Sequence, residues 1–161
     1  MNTSNMQHLE YTDHIKASGR FTITTYKAGT DEVLHSQTNT NIVLNKGLNL
    51  LPRRHIGESP NLEIATLELG TDDTAPTASD TALGDAAVTG VTRANQSATG
   101  QTAFLSFFLP DAIVPNGEYK ELGVRTAGGV LYTRALIDPT FTKSANEDTR
   151  IDYEISYSAV V

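Results

Sequence analysis

Ile151-Asp152-Tyr153-Glu154-Ile155-Ser156-Tyr157-Ser158 alternates without a break, large apolar side chains at odd positions and carboxylates or hydroxyls at even ones. Successive side chains of a strand point to opposite faces, so this spacing predicts a half-buried β-strand whose odd residues enter a core. The same period recurs at the other end of the chain. From Arg20 to Lys27, Phe21, Ile23 and Thr25 alternate with Thr22, Thr24 and Tyr26, and Ala28-Gly29-Thr30-Asp31 then turns the chain into a second run through Val33. Two such runs joined by a short Gly-containing turn predict a hairpin.

Between these ends lie further strand candidates: Glu32 to Leu44, Leu62 to Leu69, Val88 to Ala98, Thr102 to Leu109, Tyr119 to Thr126 and Val130 to Ile137. The last two flank Ala127-Gly128-Gly129, whose glycines supply the positive φ of a tight hairpin turn. Only Asn45 to Arg54 suggests helix, with Leu48, Leu50 and Leu51 stopped by Pro52, which disfavours helix in its predecessor. About eight short strands with no internal repeat predict an all-β fold, a jelly-roll-like antiparallel β-sandwich over residues 19–161. Residues 1–18 lack alternation and form a polar, extended N-terminal arm that a neighbouring subunit is expected to hold.

At 161 residues the chain fits one domain that buries roughly 68–70% of its unfolded surface, so no staple is needed. There is no cysteine, which excludes thiolate zinc sites, redox motifs and Cys nucleophiles and suits a reducing cytoplasm. The opening MNTSNMQHLE is polar, without the apolar run of a signal peptide or membrane anchor, so the mature chain is expected to be the whole chain. The formal charge of −7 is unevenly spread. Residues 1–57 carry Lys16, Arg20, Lys27, Lys46, Arg53 and Arg54 against Glu10, Asp13, Asp31 and Glu32, which leaves the remainder strongly acidic. Such a surface repels phosphate, so neither nucleic acid nor membrane is an expected partner.

The histidines, His8, His14, His35 and His55, have no metal-ligand spacing. The loop Leu69 to Leu83, LGTDDTAPTASDTAL, is long and aperiodic, which marks a segment with a job or a partner. Its Asp72, Asp73 and Asp80, with Asp85, lack the D-x-D-x-D-G register of a calcium loop and read as solvated Asx-turn residues. A glycosidase pair of carboxylates is a weaker reading, since the acids of Ile151–Ser158 face solvent and the chain has no Trp for sugar stacking. Arg93, Glu121, Arg125 and Arg134 fall inside strands, where they read as cross-strand ion pairs worth a few tenths of a kcal/mol each, or as a polar subunit contact. No catalytic, cofactor-binding or metal-ligating residue is assigned.

Four segments carry a resemblance: GRFTITTYKAGTDEVLHSQTNTNIVLNKGLNLL from Gly19, LELGTDDTAPTASDTALGD from Leu67, YKELGVRTAGGVLYTRALI from Tyr119, and IDYEISYS. In this order, from Gly19 to the C-terminus, they resemble a family of small β-rich virion proteins of tailed bacteriophages. The resemblance implies a non-enzymatic structural protein located in the virion and assembled in the host cytoplasm. Its partners would be other virion subunits, major capsid or neck and tail proteins, and further copies of itself. Capsid decoration or cementing is the first expectation; a neck, tail, baseplate or fibre-attachment component is the second. A host-surface glycan-binding module is a third, and it requires exposed aromatics on loops, where Tyr119 and Phe141 are the candidates.

Overall fold

A computed structural model describes residues 14–160. In chain order the elements are β1 His14–Lys27, β2 Val33–Val43, the short helices α1 Asn45–Leu48 and α2 Leu50–His55, β3 Ile64–Gly70, β4 Ala86–Thr99, β5 Thr102–Leu109, β6 Gly117–Thr126, β7 Leu131–Lys143 and β8 Glu147–Val160. Pro52 does not stop the helical segment. It sits in the first turn of α2, where a missing N–H costs no intrahelical bond.

All neighbouring strands are antiparallel, and their order β1-β2-β7-β6-β3-β4-β5-β8 returns to β1 to close a barrel. The all-β antiparallel fold of eight strands is as expected, and hydrogen bonding that runs right round the structure closes it into a barrel. Closure depends on a short contact, Ile42↔Arg134 and Val43↔Thr133 between β2 and β7. By contrast β1 and β8 pair without interruption from His14↔Val160 to Lys27↔Glu147. Part of the expected arm belongs to the barrel. His14 to Ser18 are the first residues of β1, while residues 1–13 of that arm lie outside the described residues.

Alternation fills the interior. Phe21 and Ile23 of β1 lie opposite Tyr153 and Ile151 of β8, and with Leu67, Leu69, Phe107, Leu109, Leu122 and Val124 they form one core of fully buried side chains. Burying each such side chain contributes about 1.5–3 kcal/mol. Tyr119 and Phe141 belong to β6 and β7, and their rings stack inside at 6.0 Å, so they are not the exposed loop aromatics that glycan binding required.

The two sides of the barrel differ outside. Over β6 and β7 the segment 71–85 lies flat, with Leu83 joining Leu44 and Leu131 in a second small apolar cluster. Gly123 admits this cover: a Cβ there would stand 2.8 Å from Leu131 and 3.1 Å from Leu83. On β5, β8, β1 and β2 the outward residues Phe104, Phe108, Arg150, Arg20, Thr38 and Thr40 are exposed.

Candidate functional site

The covering segment is held by one buried arginine. Arg134 projects outward from β7, and its Nε donates to Glu121 Oε2 at 2.8 Å, Nη1 to Asp80 Oδ2 at 2.7 Å, and Nη2 to Asp72 Oδ2 at 3.0 Å and the Thr74 carbonyl at 3.1 Å. Glu121, fully buried on β6, also accepts the backbone N–H groups of Gly84 at 3.0 Å and Asp85 at 2.8 Å. Both ends and the middle of the loop thus converge on a single Glu–Arg pair. Gly84 fits because a Cβ would run into the Asp72 carboxylate.

The sequence reading of Glu121 and Arg134 as an ordinary cross-strand pair is therefore too weak. They are buried, and the loop supplies two further carboxylates. The reading of Asp72 and Asp80 as solvated is corrected likewise, although both do make the local turns expected of them: Asp72 accepts from Thr74 and Asp80 from Thr77. Asp73 points outward, in a surface pair with Lys120 at 3.3 Å, and Asp85 is exposed too, accepting from the Thr71 hydroxyl at 2.6 Å. Chemically the cluster is saturated. Each guanidinium nitrogen has an acceptor and no side chain is placed as a nucleophile or a free base, so it fixes shape.

The hydroxyl and N–H of Thr77, more than Arg134, stabilise ionised Asp80 and lower its pKa to about 2 from the ordinary 3.8. A depressed carboxyl contributes stability that is present above the unfolded value and lost as pH falls through the folded one. Thermal melts should therefore lose stability between about pH 4 and pH 2, and Asp80→Asn should flatten that limb while lowering the plateau. A limb of unchanged steepness in the variant would assign the acid sensitivity to other carboxylates.

Two other pairs match expectation: Arg125 grips Glu68 through two bonds of 2.9 Å, and Arg93 joins Glu63 at 2.6 Å. Reasoning from sequence missed Lys143. Its buried Nζ donates to Asp111 at 2.5 Å and to the Ser144 carbonyl at 2.6 Å, tying the β5–β6 connection to the β7–β8 turn. That bond holds the Asp111 carboxyl below its ordinary range. His14, His35 and His55 are exposed on β1, β2 and α2, and His8 lies outside the described residues. Among the described residues no three His, Cys, Asp or Glu side chains are grouped to hold a metal ion.

The uncovered face is the other candidate. Its outward residues run in rows across β5, β8, β1 and β2: Phe104, Glu154, Arg20, Thr40; then Ser106, Asp152, Thr22, Thr38; then Phe108, Arg150, Thr24, Ser36. The polar members bond to one another, Arg20 to Glu154, Ser106 and Arg150 to Asp152, Thr22 to Thr38. Phe104 and Phe108 do not fit this pattern, being 40% and 48% exposed and four positions apart, about 13 Å along a strand. They are the two large apolar side chains among these outward-facing residues. The signal was present in the run Phe104-Leu105-Ser106-Phe107-Phe108, where apolar residues occupy both faces of one strand.

No family model, curated protein or solved structure matches this chain.

Proposed function

We propose that this protein is a non-enzymatic structural subunit of a tailed-bacteriophage virion that binds neighbouring virion subunits, most simply as a capsid decoration or cement protein. The observation that carries the reading is the bare β5-β8-β1-β2 face with Phe104 and Phe108 exposed on it. Aromatic side chains are enriched in the cores of protein–protein interfaces, inside a polar rim. The pairing supports the family resemblance: β1·β8, β2·β7, β3·β6 and β4·β5 nest as in a jelly-roll-like fold, here rolled into one barrel. A neck, tail, baseplate or fibre-attachment role would use the same face.

Assembly draws on many modest contacts, since a standard patch buries about 800 Å² per partner and symmetry repeats it. Phe104→Ser should leave the barrel folded and reduce occupancy on particles prepared without the subunit and then supplied with it. Undiminished occupancy would remove this face from the interface. Copy number from stained gels of purified particles separates the positions: hundreds of copies mean capsid, about a dozen or fewer mean neck or baseplate.

A further inference from the structure

We infer that copies of this chain associate head to tail, the tip of α2 of one copy seating in the depression beside the β1–β2 turn of the next. The inference rests on the assembly role above and names a second copy as partner for the tip of α2 and for the Phe108 end of the bare face.

The two ends of the barrel are unlike. One carries α1, with Lys46, and α2, whose last turn holds Arg53 and Arg54 next to Ile56, which caps α2 and is 76% exposed. Arg53 pairs with Glu58, whereas among the described residues Lys46 and Arg54 are in no ion pair. An exposed isoleucine at the apex of a basic projection is costly to leave in water and suited to an apolar recess with an acidic rim.

The opposite end supplies such a recess. Antiparallel order places there the turns β1–β2, β5–β6 and β7–β8. Between the first of these and β8 lies a depression of about 380 Å³ with Tyr26 and Phe108 as apolar walls and Asp31 and Asp148 at the rim. Both oxygens of Asp148 accept backbone N–H groups, Gly29 at 2.8 Å and Asp111 at 2.9 Å, so no cation neutralises it within the described chain. Asp31, with Glu32 beside it, is likewise in no ion pair among the described residues. The one cation in the lining, Arg150, is turned to Asp152 at 2.8 Å and lies over the Tyr26 ring at 5.9 Å. Lys27 is exposed on the same turn, where it is outnumbered by Asp31, Glu32 and Asp148.

A knob with basic neighbours and a recess walled by Tyr26 and Phe108 with acidic neighbours occupy different parts of one molecule. Such a contact is heterologous: it uses different patches on the two copies, leaves each pair with one free knob and one free recess, and propagates into a ring or a filament. The exposed Val33 and Ile113 at the recess end would add apolar contact around the rim.

Sedimentation velocity on the full chain tests this. Association should rise with concentration at about 20 mM salt and fall at about 0.5 M, where surface charges are screened within a few Å. A knob variant, Arg54→Glu with Ile56→Asp, and a recess variant, Asp31→Lys with Phe108→Ser, should each weaken self-association tenfold or more. Mixed together, each contributes its one intact surface, so the pair should form a one-to-one dimer that grows no further. Thermal melts confirm that both variants fold. A wild-type chain that stays monomeric at low salt, a variant that still self-associates, or a mixture that does not pair would overturn the inference. A monomeric wild type that still loads onto particles would do so while leaving the assembly role standing; a self-associating chain absent from particles would do the reverse.

Discussion

Arg134→Ala should cost about 3–5 kcal/mol, out of the 5–15 kcal/mol that typically holds a domain folded. The loss has little to do with packing. Removing the guanidinium strands a fully buried Glu121 and takes from Asp72 and Asp80 their shared cation. An uncompensated buried carboxylate must then either admit water or take up a proton, and both routes detach the segment 71–85 from β6 and β7. For a chain of this length each kcal/mol moves the melting temperature by about 2–4 °C, so a fall of about 10 °C is expected. Protease should cut within residues 71–85 before it attacks any strand. Arg134→Lys keeps the charge but offers a point cation in place of a fork that reaches three carboxylates, and should recover only part of the loss. A cost below about 1 kcal/mol, with the loop still resistant, would mean that Leu83 and its apolar neighbours hold the cover unaided.

The strands were legible because each is a local pattern. Ile151–Ser158 and Arg20–Lys27 announce their faces within eight residues, and the structure buries Tyr153 and Ile155 as that alternation requires. Barrel closure was not legible, because it turns on which strand edge meets which. The two residue pairs joining β2 to β7 look in sequence like any other apolar–polar run. The clamp failed to show for a related reason. Glu121 and Arg134 were visible as strand charges, yet Asp72 and Asp80 reach Arg134 from 62 and 54 positions away, through a loop with no periodicity to place it. Lys143 lies beyond the strand expected to end at Ile137, and its burial depends on Asp111, which comes from a different connection.

Phe107 and Phe108 test most sharply how the barrel is registered, because they are adjacent, identical in chemistry and opposite in fate. Phe107 is fully buried between Arg93 of β4 and Ile151 of β8, while Phe108 is 48% exposed opposite Arg150. A slip of one residue in β5 would exchange them, because the side-chain period of a strand is two. Phe107→Ala removes a ring from the middle of the main core, where Ile151 and Leu109 are held on their own strands and cannot move in to fill the space, so a loss of about 3–5 kcal/mol is expected. Phe108→Ala empties nothing inside and should stay within about 0.5 kcal/mol of the parent. Urea denaturation of the two variants decides the register. Equal costs would mean that β5 is buried on both faces, and a reversed order would put Phe108 in the core and remove it from both the bare face and the end recess.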